Sequence, residues 1–420
     1  MAPLGCQSEG FPEIEPPSSC DLDAQKEWIY DTMDEVYLWS TELPPKDEID
    51  FASYDSPEAL TTALRQNVDR WTRAVDKVES DALFMDGMRL GIGFKYRSND
   101  DGNLILKLVH PGSPAGVAGL RRGDIIVSVN GVPSADVSSS DWGENDEGLV
   151  IDFEVIPREQ AGNPDAEAQP VPVTRGWYLI ITVPVATVLD LPDESVGYLF
   201  FDTFVKTSVA ELDAAFETFE DAGVTKLVVD LRYNGGGLIS TARHLNNLLG
   251  SSLYDGSVMY KVKYNSNLSE GDSSYDFSNT THALPLEQIA FITSGSTSSA
   301  SELVINALLP YTEVEIIGTA TSGKPVGSNS FEFCEKLLFP ITFKLLNALD
   351  VGEYFDGLTP GCGGEDQPAF ELGDPNESLL ANALEYLESG SCSAYQATPA
   401  LRSGVDANPA DPLNLIHHAR

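Results

Sequence analysis

Lys226-Leu227-Val228-Val229-Asp230-Leu231 runs directly into Arg232-Tyr233-Asn234-Gly235-Gly236-Gly237, and the stretch 238–249 that follows has apolar residues at helical spacing. A short apolar run closed off by turn residues is the pattern of a strand buried on both faces. The glycines open backbone conformations closed to other residues, so the chain can turn sharply there. The unit recurs on either side. Residues 196–204 read as an apolar strand and 209–222 as a helix; further on, strand 288–293 leads into helix 300–309 and strand 313–317. Strands alternating with helices at this spacing predict an α/β layer fold. In such folds the loops at the carboxyl ends of parallel strands gather on one rim, where sites are built.

Outward from this core the pattern changes. Residues 1–20 are rich in Pro, Ser and Glu and read as a flexible lead-in. Residues 21–85 read as a helical region, with Trp28, Ile29, Met33, Val36 and Tyr37, then Leu60, Leu64, Val68 and Trp71, at three- and four-residue steps on either side of the break at Pro44-Pro45. Residues 86–190 read as a β-rich domain, with strands at 89–94, 104–109, 124–129, 149–156 and 177–183 and an unstructured polar loop at 157–175. The α/β core spans 191–392 and ends in a helix at about 377–387, with Asp374 and Asn376 as candidate caps. Residues 393–420 form a flexible tail. There is no internal repeat.

The 420 residues carry a net charge of −40. That excludes nucleic acid and anionic membrane surfaces as partners, since both are bound through clustered Lys and Arg. No apolar run reaches the length of a membrane-spanning helix. Neither the five cysteines nor the five histidines fall at metal-ligand spacing, so no metal or cofactor is expected. Cys6, in Pro3-Leu4-Gly5-Cys6, loosely matches a bacterial lipid-attachment site. With Cys6 set aside, Cys20, Cys334, Cys362 and Cys392 form an even set suited to an oxidising compartment. Three pairings are open, of which Cys334–Cys362 with Cys20–Cys392 is the expected one; five reduced thiols in a cytosolic protein are the other reading.

Leu90-Gly91-Ile92-Gly93-Phe94 is followed by Pro111-Gly112-Ser113-Pro114-Ala115 and by Gly119-Leu120-Arg121-Arg122-Gly123-Asp124-Ile125-Ile126-Val127-Ser128-Val129-Asn130-Gly131. Together these resemble a PDZ domain. The resemblance implies that Leu90, Gly91, Ile92 and Gly93 bracket a peptide's terminal carboxylate with backbone N–H groups, while the adjoining strand edge takes the peptide as an extra strand.

Three further stretches carry chemistry. In Thr293-Ser294-Gly295-Ser296-Thr297-Ser298-Ser299-Ala300-Ser301-Glu302, Ser299 and Glu302 make a capping box, which explains both without catalysis. A serine at a strand-to-helix turn is also placed to act as a nucleophile beside free N–H groups. Gly318-Thr319-Ala320-Thr321-Ser322-Gly323-Lys324 lies one strand further on, and Asp230–Gly237 one strand-helix unit earlier. Each has an ordinary reading alone, as a solvated lysine or a helix-entry turn. In this order after a PDZ module, they resemble the C-terminal-processing (tail-specific) serine peptidases, over residues 86–392. Tyr37-Leu38-Trp39 and Tyr354-Phe355-Asp356-Gly357 are similar to the acidic, secreted branch of that family.

The resemblance implies a multidomain α/β chain with a crotonase-like peptidase core, acting on protein or peptide substrates in the periplasm, at the outer membrane or outside the cell. It assigns Ser299 as nucleophile, Lys324 as general base, and the N–H groups of Ala300 and Gly236 as oxyanion donors, with Gly235 a close contender. Several family members hold the lysine with a Gln four residues on. Here that position is Ser328, so Ser328 or Thr321 is expected to orient it. Such a lysine must be neutral, which requires its pKa to fall from about 10.4 toward 7–8 by desolvation. The expectation is therefore apolar cover from the flanking strands and no carboxylate in contact with the Lys324 amine. Two alternatives stand beside this: a catalytically inactive peptide-binding scaffold of the same fold, and a Ser–His arrangement using His244.

Overall fold

The computed structural model describes residues 14–191 and 195–394; Cys6 and the tail from 395 onward lie outside the described residues. At its centre is a five-stranded sheet in the order Val185–Asp190, Ser195–Phe200, Lys226–Asp230, Gln288–Thr293, Glu313–Gly318. The first pair is antiparallel and the rest are parallel. Side chains alternate between two cores, as the two-residue strand period requires. Leu227, Val229, Ile289 and Phe291 pack under helices Ser208–Asp221, Ile239–Tyr254 and Ala300–Leu308. Val228, Ala290 and Ile292 face helix Ser378–Ser389 through its Leu379, Leu380, Ala383 and Leu384. Covering both faces explains the nearly unbroken apolar runs.

A second, antiparallel sheet (Ser273–Asp276, Val258–Tyr264, Ile341–Leu346, Val326–Ser328) adjoins this layer. In the N-terminal region, helix Leu22–Val36 starts where the Asp21 side chain accepts the Ala24 N–H, and helix Pro57–Ala63 is capped by Ser56. The helical spacing through Val68 and Trp71 does not produce a third helix there. The Asp69 carboxylate accepts the N–H groups of Trp71 (2.8 Å) and Thr72 (3.0 Å), turning the chain. Strand Arg73–Asp76 then pairs with Lys336–Phe339.

The β-rich domain has strands Phe94–Ser98, Leu104–Val109, Ile125–Val129, Val150–Ile156 and Gln169–Thr174 in that spatial order, all antiparallel. The polar loop expected at 157–175 thus ends in a strand. Val171 and Val173 face the core, while Pro170 and Pro172 are tolerated because this is an edge.

The cysteines pair as Cys20–Cys334 and Cys362–Cys392, correcting the expected Cys334–Cys362 and Cys20–Cys392. Packing decides it. The N-terminal helix lies against the 331–339 hairpin, with Trp28 stacked on Phe333 at 5.0 Å, which brings Cys20 to Cys334. Cys362 lies alongside the end of strand Glu313–Gly318, bridged to Ile317, and also bridges to Ala394, just beyond the last helix, beside Cys392.

Candidate active site

Three loops leave the carboxyl ends of the neighbouring parallel strands Lys226–Asp230, Gln288–Thr293 and Glu313–Gly318, and hydrogen bonds knit them together. The Asn234 carbonyl accepts the Ser298 N–H (3.1 Å) and the Ser301 hydroxyl (3.0 Å). Thr297 Oγ1 donates to the Leu231 carbonyl at 2.8 Å, and the Thr297 carbonyl accepts the Ser322 N–H at 2.9 Å. The sheet rim thus gathers Asn234–Gly237, Ser299 and Lys324, which stand far apart in sequence.

Ser299 caps helix Ala300–Leu308 with φ +57° and ψ −112°, a conformation costly for a residue with a Cβ. Its N–H donates to Glu302 Oε2 at 2.7 Å. Glu302 does more than cap. Its buried carboxylate also accepts the Lys324 N–H on Oε2 (2.8 Å), and the Gly323 N–H (2.7 Å) and Thr321 hydroxyl (2.5 Å) on Oε1. One oxygen therefore holds the backbone of both Ser299 and Lys324. Burial pushes the Glu302 pKa up, against the four donors that stabilise its charged form.

Gly236 has φ +98°, and a Cβ there would lie 2.8 Å from the Ser298 carbonyl oxygen, 2.9 Å from Ser299 Cβ and 3.0 Å from Ala300 N. Only glycine lets this loop approach the serine so closely. The Gly236 N–H, however, donates to Asn234 Oδ1 at 2.9 Å, so it is engaged in this arrangement. Ala300 N is the first helical N–H and has no partner within its own helix.

Lys324 is 8 % exposed, and among the described residues no carboxylate forms an ion pair with its amine. The cover comes from an unexpected direction. Nζ lies 5.8 Å from the centre of the Trp71 ring, which belongs to the N-terminal region and is itself buried. Arg70 ties that segment down through the carbonyls of Ser322 (3.3 Å) and Phe355 (3.4 Å). Burial pushes the Lys324 pKa down to about 7, with help from the positive charge of Arg73 and against Asp69 and Glu302. Asp69 is already occupied by the Tyr37 hydroxyl (2.7 Å) and by two backbone N–H groups.

Neither residue expected to orient the lysine does so. Thr321 Oγ1 donates to Glu302 and accepts the Leu358 N–H (2.7 Å), so it braces the glutamate. Ser328 lies on strand Val326–Ser328 and makes no hydrogen bond to the amine among the described residues. His244 Nε2 pairs with Asp213 on the adjoining helix at 2.7 Å. In the β-rich domain Gly91 pairs with Gly176, and the Gly93 carbonyl accepts the His110 N–H and the Ser113 hydroxyl. Leu90 is half-buried, whereas Ile92 and Phe94 are buried, so the face beside the loop is closed.

The chain matches the model of peptidase family S41 over residues 195–360, that of the peptidase S41 N-terminal domain over 24–73, and a PDZ domain over 105–151. It is 28% identical over 334 residues to a carboxyl-terminal-processing protease of Synechocystis sp., covering 76% of this chain and 73% of the relative. It is 25% identical over 282 residues to the chloroplastic carboxyl-terminal-processing peptidase 3 of Arabidopsis thaliana, covering 65% of this chain and 52% of the relative. The chain thus spans about half the length of several curated relatives it matches. In fold it is similar to a Bacteroides fragilis protein provisionally assigned as an S41 protease, with a TM-score of 0.72 at 24% identity over 91% of this chain and 100% of the other. The photosystem II D1 C-terminal processing protease gives 0.51 at 19% identity, over 81% and 92%.

Proposed function

The chain belongs to peptidase family S41 and carries a PDZ domain, and from that membership we propose that it is a serine endopeptidase with Ser299 as nucleophile and Lys324 as general base. Neutral Lys324 takes the Ser299 hydroxyl proton as Oγ attacks a peptide carbonyl. The tetrahedral oxyanion is met by the Ala300 N–H and an N–H of the 235–236 glycine loop. Collapse expels the amine, which takes its proton from Lys324, and leaves an acyl-enzyme. Water, deprotonated by the same lysine, then releases the acid. For Gly236 to serve as donor its N–H must leave Asn234 Oδ1; Gly235 is the other candidate.

The observation that carries this reading is the state of Lys324: buried, with no carboxylate partner among the described residues, its pKa pushed down to about 7, and its backbone held by the same glutamate oxygen as that of Ser299. A solvated loop lysine would show none of these. The test is labelling by a serine-directed phosphonate probe. Native protein should label, and both Ser299→Ala and Lys324→Ala should lose labelling and peptide cleavage while keeping their fold by circular dichroism. Labelling that survives in Ser299→Ala overturns the nucleophile; no labelling or cleavage by the native chain supports an inactive scaffold instead.

Two disulfides point to an oxidising compartment, and no helix among the described residues is long and apolar enough to cross a membrane. We place the peptidase in the periplasm, at the outer membrane or outside the cell, acting on protein or peptide substrates. A lipid anchor at Cys6 belongs to the same proposal.

A further inference from the structure

Among the described residues, strand Phe94–Ser98 is the last of its sheet, the position at which an added strand would pair. A peptide added to it would send alternate side chains to the face that Ile92, Phe94 and Tyr96 share, because strand side chains alternate with a period of two. A domain that reads peptide termini needs an open pocket on that face. Here the three residues are 0 %, 4 % and 6 % exposed. All three belong to the domain's core, and Trp142, itself 2 % exposed, packs there against Phe94 and is stacked on Tyr96 with ring centres 5.7 Å apart and planes 13° from parallel. The same indole meets Phe94 edge-on at 6.3 Å and Phe153 at 6.0 Å.

The segment that delivers Trp142 is built to stay. It is a short 3₁₀ turn, Ser139–Trp142, entered through a capping box between Ser138 and Asp141. The Asn130 side chain donates to the Asp141 carbonyl at 2.8 Å. Buried Arg175 donates to the carbonyls of Trp142 (3.2 Å) and Glu144. The Arg175 carbonyl in turn accepts the Gly148 N–H at 2.9 Å, so both ends of the segment are tied to one residue.

We propose that Trp142 is a built-in stopper of the PDZ groove: its indole occupies the pocket an apolar carboxy-terminal side chain would enter, so this protein does not select partners by their C-terminus. Removing the indole opens a pocket floored by Ile92, Phe94 and Tyr96, next to the Leu90–Gly93 loop. The inference is independent of the assigned catalytic pair, because it concerns binding and is measured without turnover.

The experiment uses the full chain carrying Ser299→Ala. Binding of fluorescein-labelled peptides ending in valine, with either a free carboxylate or an amide, is followed by anisotropy. Without further change the two forms should bind equally, within about twofold. With Trp142→Ala added, the free acid should bind about tenfold or more tightly than the amide, roughly 1.4 kcal/mol of discrimination. A native groove that already prefers the acid tenfold overturns the proposal. So does a folded Trp142→Ala protein with no acid preference. Should Trp142→Ala fail to fold, Trp142→Leu keeps apolar fill while vacating part of the pocket, and must show the same acid preference to a smaller degree.

Discussion

At the residue scale, the bland reading of Glu302 and its place in the site turn out to be one arrangement. A capping glutamate turns back toward the start of its helix, and here that start is Ser299. The same carboxylate reaches across to Gly323 and Lys324, so a helix cap fixes one loop against the other. Lys324 then has consequences that can be measured. With neutral Lys324 as the proposed base, kcat/KM should rise with pH through about 7 and level off above it. Arg73→Met, which keeps the packing on Phe339 but deletes a like charge, should move that acid limb upward by about half to one pH unit; a limb that stays put would deny Arg73 any influence on the lysine. Stability should also rise with pH, but over a higher window than activity. A lysine whose pKa falls from 10.5 to about 7 on folding binds fewer protons in the native state than in the unfolded state between those values. Its cost is therefore absent above 10.5, grows as the pH drops, and is complete below 7. Lys324→Met should abolish cleavage yet stabilise the fold at pH 7, by up to about 4 kcal/mol. A destabilised Lys324→Met in urea unfolding would show instead that the lysine is structural.

At the scale of elements, the strand–turn–helix units were readable because each is local: apolar strands, glycine turns and helical spacing lie within about thirty residues. Their convergence on one rim was readable too, since parallel strands leave no other place for the loops. What escaped the sequence comes from distant segments. Trp71 reaches Lys324 from the far end of the chain, and its own stretch has helical spacing that the Asp69 turn overrides. Trp142 lies in a polar stretch with no motif of its own. The disulfides failed for the same reason, because pairing follows from the N-terminal helix packing on the 331–339 hairpin, which no local pattern records. That packing makes Cys20–Cys334 a long-range staple, spanning 314 residues. Replacing both cysteines by serine should cost about 2–5 kcal/mol in denaturant unfolding. A loss below about 0.5 kcal/mol would mean that packing of Trp28 on Phe333 already holds the two segments together without the bond.

At the scale of the whole molecule, the charge of −40 makes each buried cation informative. Several of the few basic residues sit where the PDZ domain meets the peptidase core. Lys95 donates to Asp202 (2.6 Å) and to the Tyr233 carbonyl (2.8 Å). Arg122 donates to the Tyr233 hydroxyl (2.6 Å) and to Asp366 (2.7 Å), which Arg232 also contacts at 3.1 Å. Tyr233 immediately precedes Asn234, the residue that ties the glycine loop to the serine loop, so the PDZ domain grips the site from behind. These cations hold Asp366 down to about 2 despite its burial. A carboxyl depressed in this way contributes stability that is full above its ordinary 3.8 and is lost as the pH falls from there toward 2. Arg122→Met removes the closer guanidinium and leaves a buried carboxylate short of charge, which should cost about 3–5 kcal/mol at pH 7. That deficit should narrow in the acid window, because protonated Asp366 no longer needs the partner. Urea unfolding of native and Arg122→Met protein at pH 7 and pH 3 measures both quantities. A deficit that is small at pH 7, or unchanged at pH 3, would show that the two domains are held by apolar contact and that the charge network is incidental to their docking.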